Sequence, residues 1–314
     1  MSRVVIGLNA VVTALRALGG DAEPHVLCVR RGEGAGDPAL PYGPFEPTKH
    51  RTFDLGMRAL IEGQTALAPA YVEQLYTFGD EGREVTRASL EGGEASDRVV
   101  SVGYLALARE AGETGMTGAA WVPWYALFPY EDRRADGPLP APLPSALTQA
   151  LARWADGSPD RKARAALAFG LDGYPWEEER ALDRYELLYE AGLVEEARRD
   201  GRASAPLEGT GPAMASDHRR ILATAIGRLR GKLRYRPVVF ELMAEAFTLT
   251  ELQAATEGLL GFAVHKQNFR RAVIRSGLVE ETGETRAGPG RPAALFRRAG
   301  GAGVEGLTLP RLRD

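Results

Sequence analysis

Apolar residues recur along the chain with two periods, and the change of period separates its parts. Up to about residue 130, short runs rich in β-branched residues predict strands at 4–12, 25–31, 71–78 and 99–107. Helical spacing predicts one helix at 52–67 in the same part. From residue 145 onward the spacing is helical, in segments at 146–154, 161–171 and 176–199. A mixed α/β body is therefore predicted to precede a helical stretch.

The last third of the chain returns to short helices with one apolar side. Residues 217–233 predict a helix that Ser216 or Asp217 can cap. Thr248-Leu249-Thr250-Glu251 is a capping box, in which the Thr hydroxyl and the Glu carboxylate each satisfy a backbone N–H of the first turn. Apolar residues then recur at three- and four-residue steps as far as Gly261, where a C-terminal cap is expected. A short one-sided helix is therefore predicted to follow Thr248.

A second helix is predicted only a few residues later, at 264–275. Phe269 and Val273 can face a core, whereas the opposite side of this helix is basic. The period then changes, and residues 278–282 and 293–298 predict the two strands of a hairpin with a basic tip rich in Gly and Pro. Two short helices with a tight connection, followed by such a hairpin, predict a winged helix-turn-helix domain.

The polar side of this domain carries the groups that bind DNA. Arg and Lys suit phosphate oxygens and guanine, and Asn suits the donor and acceptor edge of adenine. A small helical domain with a solvated basic face is the plainer interpretation, and the order helix, turn, helix, hairpin favours DNA binding over it. The candidate DNA-binding residues are His265, Lys266, Asn268, Arg270, Arg271, Arg275, Arg286 and Arg291.

Net charge divides the chain in the same place. The whole chain holds 39 Lys and Arg against 42 Asp and Glu, but residues 217–300 hold 15 against 8 and residues 1–216 hold 22 against 32. An acidic body thus precedes a basic domain, whose local field attracts phosphate. Double-stranded operator DNA is the partner that this division predicts.

Composition excludes several classes of protein. A chain of 314 residues, 44% hydrophobic and 26% charged, is typical of a globular protein with two or more domains. Cys28 is the single cysteine, which excludes an internal disulfide framework and a thiolate zinc site. No apolar run reaches the roughly 18 residues of a membrane helix, so we predict a cytoplasmic protein that does not enter a membrane.

His218 beside Asp217 lacks a nucleophile in a recognisable setting, and we predict no catalytic residue, no metal and no cofactor.

An aromatic cluster at residues 121–130 has two interpretations. Its members are Trp121, Trp124, Tyr125, Phe128 and Tyr130, and a proline-rich connection follows at 138–144. Such rings can stack on adenine, or they can anchor a loop in the core. We favour the anchor, because aromatic clusters beside prolines more often have that role.

The α/β part resembles the Nudix fold. The resemblance runs through residues 40–47, the helix that contains Arg58 and Glu62, and the strand at 73–80. Nudix hydrolases carry a G-x5-E-x7-R-E-U-x-E-E-x-G-U box, whose Glu side chains hold the magnesium ions that activate water on a diphosphate. The resemblance therefore implies an α/β/α sandwich with a nucleotide-sized cleft.

Most carboxylates of that box are missing here. Matched on Arg58, the chain has His50, Ala59 and Gly63 where three of the Glu residues belong, and it keeps only Glu62. One Glu cannot assemble a centre of two hard cations, which need several oxygen ligands. We therefore predict that this domain does not hydrolyse nucleotides. Arg58 and Glu62, four residues apart, are expected to form an intrahelical ion pair.

Body and winged helix together resemble the Nudix-related transcriptional regulators, the NrtR family. The matching stretches are 235–242, 247–253, 268–271 and 290–296, and residues 176–193 are similar to the NadQ branch of such regulators. The resemblance implies a dimeric repressor of genes for NAD synthesis or salvage, with ADP-ribose, NAD or ATP as effector. It places Asn268, Arg270 and Arg271 on the recognition helix and Arg291 on the wing. The candidate ligand-binding residues are Arg31, Tyr42, Phe45, Arg58, Glu62, Phe78, Asp80 and Arg98.

The predicted fold class is α+β, a Nudix-like α/β/α sandwich with a helical insertion, followed by a C-terminal winged helix-turn-helix domain. The insertion is expected to pack on the body or to mediate dimerisation, with its charged faces solvated. The predicted divisions are 1–143 for the degenerate Nudix-like sensing domain, 144–214 for the insertion and linker, 215–233 for a connecting helix, 234–300 for the winged helix and 301–314 for a tail.

Two other functions stay open. An active nucleotide pyrophosphatase would have to hold its metal with Glu46, Glu62 and Asp80. A nucleotide-binding protein whose winged helix mediates protein contacts is the second, which the basic outer face of that domain disfavours.

Overall fold

The strand-rich first part of the chain forms a mixed sheet. The computed structural model describes residues 4–18, 21–30, 36–69, 71–79, 98–109, 111–112, 118–134, 141–203, 205–287 and 292–300. The strands of the sheet are Val4–Leu18 (β1), Asp21–Val29 (β2), Tyr42–Pro44 (β3), Tyr71–Phe78 (β4), Arg98–Leu107 (β5) and Ala119–Pro123 (β6). They lie in the order β4-β5-β1-β2-β6, and β3 pairs with the first part of β1. Strand β1 is parallel to β5 and antiparallel to β2.

Strand β1 is longer than its apolar run predicts. It continues beyond residue 12 because its second half pairs with β2 in a hairpin that closes at Leu18 and Asp21. Successive side chains of a strand point to opposite faces. Leu8 and Ala10 accordingly pack in one apolar cluster and Val11 in the other, so both faces of the sheet are covered.

Helix α1, Phe53–Thr65, covers the first face. Thr52 caps it, because the Thr52 hydroxyl accepts a hydrogen bond from the Leu55 N–H at 3.2 Å. Met57 and Ile61 are fully buried against the sheet, in the cluster that contains Leu8. This confirms the predicted helix and its apolar side.

The helical insertion consists of short segments. A single helix at 176–199 was predicted, but the chain makes a 3-10 turn at Glu178–Arg180 and then breaks after Glu190, where Gly192 adopts φ 72°. That prediction was wrong, because the left-handed glycine ends the helical pattern. Helix α2, Trp124–Leu127, precedes the insertion. The helices of the insertion are Ser145–Ala155 (α3), Pro159–Phe169 (α4), Ala181–Glu190 (α5) and Glu195–Arg199 (α6).

Helix α7, His218–Leu233, covers the second face of the sheet. Its Ile221 and Leu222 are fully buried in the cluster that contains Val11, and α5 of the insertion packs on its other side. The helix predicted as a connection is thus also the third layer of the sandwich. No side chain caps its start, so the predicted cap by Ser216 or Asp217 was wrong: Asp217 holds the cap position without such a bond, and Ser216 lies outside at φ 48°.

The remaining elements form the winged helix. They are Leu249–Leu260 (α8), Lys266–Arg275 (α9), Val279–Arg286 (β7) and Ala293–Arg298 (β8). Strand β7 is longer than predicted, because the chain passes a bulge between Glu281 and Thr285, where Gly283 has φ 82°. Helices within the described ranges are all too short or too polar to cross a membrane.

Candidate DNA-binding surface and nucleotide cleft

Helix α8 begins and ends at the predicted residues. Thr248 Oγ1 accepts from the Glu251 N–H at 3.1 Å, and Glu251 Oε2 accepts from the Thr248 N–H at 2.7 Å, which completes the capping box. Gly261 forms the C-terminal cap at φ 80°. Leu252 and Leu259 are buried, so this helix supports the domain and carries α9.

Helix α9 turns its polar side to solvent. Phe269 and Val273 are buried, as predicted. Four of the candidate DNA-binding residues are exposed at the start and along the outer side of this helix: His265, Lys266, Arg271 and Arg275. This side is therefore available to a partner as large as a DNA duplex.

Two other candidate side chains are engaged within the domain. Arg270 is half-buried, and its Nη2 donates to Thr250 Oγ1 of α8 at 2.9 Å. Asn268 Oδ1 accepts from Arg271 Nη2 at 2.8 Å. Arg270 thus joins the two helices, and Asn268 steadies Arg271 on the outer side. Sequence reasoning missed both contacts, because the partner of Arg270 lies 20 residues away and the spacing of Asn268 and Arg271 allows a contact without specifying it.

The base of the wing is attached to α8. Arg286, at the end of β7, forms an ion pair with Glu251 and donates from Nη2 to the Ala246 carbonyl at 3.2 Å. Its guanidinium group is still about half exposed. Arg291, the candidate at the tip, lies outside the described residues.

Helix α9 carries positive charge that no carboxylate neutralises in the part of the chain that the structure describes. The wing cations Arg297 and Arg298 are paired with Glu280 at 2.7 Å and Glu241 at 3.0 Å. By contrast, no ion pair joins the three cations Lys266, Arg271 and Arg275 to a carboxylate in the part of the chain that the structure describes. Such unneutralised cations on an exposed helix face are suited to phosphate and guanine.

The candidate ligand-binding residues do not gather in one place. Tyr42 and Phe78 are only 6% and 3% exposed, so little of either side chain reaches the surface. Phe78 packs in the cluster on the α7 face, whereas Phe45 packs with Phe53 on the α1 face, so the sheet separates them. Arg31, Asp80 and the Arg98 side chain lie outside the described residues.

Arg58 does not pair with Glu62. Its Nε donates to Asp54 Oδ2 at 3.0 Å, one turn earlier, and its Nη1 donates to the Pro69 carbonyl at 2.9 Å. The predicted pair was therefore wrong. The favoured order on a helix places the acid before the base, toward the positive N-terminal end, and Asp54 satisfies that order.

Four of the five rings of the aromatic cluster anchor their segment in the core, as predicted, although the segment forms helix α2 where a loop was expected. Trp124 and Phe128 are fully buried, and Tyr125 and Tyr130 nearly so. Burial raises the pKa of the Tyr125 phenol, which stays neutral and donates to the Gly258 carbonyl of α8 at 2.5 Å. Helix α2 therefore fixes the winged helix to the body.

Charged residues expected on solvated faces are buried between the insertion and α7. Glu131 Oε1 accepts from Arg184 Nε at 2.5 Å, and Glu131 Oε2 pairs with Arg230, all three side chains being inaccessible to solvent. Burial alone would raise the pKa of Glu131, but the two guanidinium groups outweigh it and hold that pKa below its ordinary value. Glu196 is likewise buried with Arg219 at 3.1 Å. The expectation of solvated faces was wrong here, and helical periodicity gives no signal of such pairs.

Helix α8 is docked on the α/β body through its last turn. Arg230 Nε donates to the Leu259 carbonyl at 2.9 Å, where the negative end of the helix dipole favours a cation. Gly258 lies so close to β2 that an added Cβ would be 2.1 Å from the Ala22 oxygen. The guanidinium that pairs with Glu131 therefore also holds the first helix of the winged domain.

A mixed sheet between two helices, joined to a basic winged helix, defines a protein with a Nudix-like domain and a winged helix-turn-helix domain. Residues 239–298 match the NrtR DNA-binding winged helix domain. The predicted resemblance to NrtR-type regulators is thus confirmed by sequence for the winged helix.

Known proteins extend the comparison. The ADPR responsive transcriptional repressor NtrR of Acinetobacter baylyi is 45% identical over 86 residues, which are 27% of this chain and 34% of that protein. The match thus spans about a third of that relative. The crystal structure of Shewanella oneidensis NrtR has a TM-score of 0.54 at 22% identity over 94% of both chains. The same protein complexed with a 27mer DNA gives a TM-score of 0.54 at 21% identity, over 94% of this chain and 93% of that one. These similarities confirm the predicted fold class.

Proposed function

We propose that this chain is a DNA-binding transcriptional repressor whose recognition helix is α9. The observation that supports it best is the row of unneutralised cations on α9, in a domain that matches the NrtR winged helix. Two copies related by a two-fold axis would place their α9 helices in adjacent major grooves of a palindromic operator. The regulated genes would be those of NAD biosynthesis, as the resemblance implies.

The proposal includes a nucleotide effector bound by the Nudix-like domain. ADP-ribose is the first choice, because the similar repressor of Acinetobacter baylyi is called ADPR responsive. NAD and ATP are the next choices. Phe45, Arg58 and Glu62 on the α1 side stay in the proposed site, together with Arg31, Asp80 and Arg98. The domain would bind this nucleotide without hydrolysing it.

Coupling between the two sites would run through the docked last turn of α8. An effector changes DNA affinity only by its differential affinity for two arrangements of the molecule. Because Arg230 and Tyr125 hold α8 on the body, a shift of the body would move α9 with it. In a dimer, this would change the separation of the two recognition helices.

The test is fluorescence anisotropy of the purified protein with the DNA upstream of its own gene. Binding would be titrated at several salt concentrations, with and without ADP-ribose, NAD and ATP. We expect tight binding that weakens steeply with salt and that one nucleotide shifts. Absence of specific binding in every condition would overturn the proposal.

A matched pair of variants makes this test sharper. Arg271→Ala removes an exposed cation of α9 and is expected to weaken binding by roughly 1–3 kcal/mol if it contacts a base. Arg153→Ala removes an exposed cation of α3 in the insertion and should leave DNA affinity unchanged. Magnesium-dependent release of product from ADP-ribose by the same preparation would favour the pyrophosphatase instead.

A further inference from the structure

One stripe of α9 carries three side chains that differ in chemistry from one another. Gln267, Arg271 and Ile274 are spaced i, i+4 and i+7, so they project from the same side of the helix. This side is opposite the buried pair Phe269 and Val273, and all three residues are exposed. The stripe therefore presents an amide, a guanidinium and an aliphatic group outward, in that order.

Gln267 supplies the amide that is available for base recognition. Asn268, the amide expected to read adenine, has its Oδ1 occupied by Arg271 at 2.8 Å. The Gln267 side chain makes no hydrogen bond within the part of the chain that the structure describes. Both its donor and its acceptor are thus open, and a Gln amide can bond adenine N6 and N7 at once.

Ile274 is the unexpected member of the stripe. It is 58% exposed, on the side of the helix that also carries Gln267 and Arg271. Apolar side chains in the major groove contact the thymine 5-methyl group. Residues 267 and 274 are about 10 Å apart along the helix axis, which corresponds to roughly three base pairs of DNA.

We propose that Gln267 reads an adenine and Ile274 a thymine methyl in each operator half-site, on either side of a base that Arg271 contacts. The proposal rests on the proposed function as a DNA-binding repressor. Asn268 acts here as a positioning residue for Arg271. Specificity would thus come from residues 267–274 of α9, and Lys266 would contribute phosphate affinity.

The first step of the test is selection of bound duplexes from a random library by the full chain. The enriched site is then made with one adenine at a time replaced by 7-deazaadenine, which lacks the N7 acceptor. At one position the wild type should bind about fivefold to tenfold more weakly, and Gln267→Ala should show no further loss there. An equal loss in both proteins at every adenine would overturn the assignment of Gln267.

The second step replaces one thymine at a time by deoxyuracil, which lacks only the methyl group. At one position the wild type should lose about threefold in affinity, and Ile274→Ala should be insensitive to the change. Lys266→Ala is the matched control: it should weaken all duplexes alike and reduce the salt dependence.

The outcomes separate this inference from the function on which it rests. If a sequence is enriched but wild type and variants then give identical deazaadenine and deoxyuracil profiles, only the reading of bases by Gln267 and Ile274 is overturned. Failure to enrich any sequence would overturn the repressor function as well. Since both side chains are exposed, neither variant should change the melting temperature.

Discussion

Replacement of Glu131 by Gln tests the buried charges that join the body, the insertion and α7. The change keeps the shape of the side chain but leaves Arg184 and Arg230 buried without their carboxylate. Removal of one partner of a buried ion pair costs about 3–5 kcal/mol, against a total unfolding free energy of about 5–15 kcal/mol for ordinary proteins. We therefore expect Glu131→Gln to lose about 3–5 kcal/mol of unfolding free energy.

The assay is urea unfolding followed by tryptophan fluorescence, with the midpoint and slope measured for each protein. Glu190→Gln is the matched control. Glu190 also pairs with an arginine, Arg164, but both side chains are more than 40% exposed. Such an exposed pair contributes at most about 1 kcal/mol. Equal losses in the two variants would refute the reasoning from burial.

The buried pairing of Glu131 with Arg184 and Arg230 also predicts that stability depends on pH. Arg184 and Arg230 hold the pKa of Glu131 below its ordinary value of 4.5, despite the opposing effect of burial. The ionised form is favoured in the folded state, so its contribution is present above pH 4.5 and is lost as pH falls through the lowered pKa. Wild type and Glu131→Gln should therefore approach each other in stability as the pH is lowered below that value. A constant difference down to acid pH would contradict this account.

Three smaller perturbations test other contacts. Gly258→Ala places a Cβ 2.1 Å from the Ala22 oxygen and should displace α8. We expect a lower melting temperature and faster proteolysis between the domains. Gly63→Ala is the control: its added Cβ meets nothing within 4 Å, so it should change neither the melting temperature nor the rate of proteolysis. Thr248→Ala removes one half of the capping box and should cost about 1 kcal/mol in urea unfolding; no loss would contradict the cap. Burial raises the pKa of the Cys28 thiol to about 12, so a thiol reagent at neutral pH should modify it only after denaturation, and rapid modification of the native protein would show that it is accessible.

Local signals identified the winged helix correctly. The capping box at Thr248 and the glycine at 261 fix the two ends of α8 through contacts only three or four residues apart. Such contacts can be predicted from the sequence, because both partners lie in one turn and their residue types are those of known helix caps. The inward position of Phe269 and Val273 followed from helical spacing for the same reason.

The candidate site was predicted in part. Residue type and spacing pointed to the cations of α9, but not to the contact of Asn268 with Arg271 or to the free amide of Gln267. The nucleotide cleft was less accessible to sequence reasoning. Phe45 and Phe78 were both candidate ligand-binding residues, yet the sheet places them on opposite faces.

Sequence alone determined the elements, their periods and the division into an acidic body and a basic domain. Tertiary structure decided which charges are buried, since Glu131 and Arg230 meet across 99 residues of chain. It also made helix α7 a layer of the sandwich as well as a connection. The physical reason is that burial and pairing of charges depend on which surfaces come together, and a one-dimensional pattern specifies only the surfaces themselves.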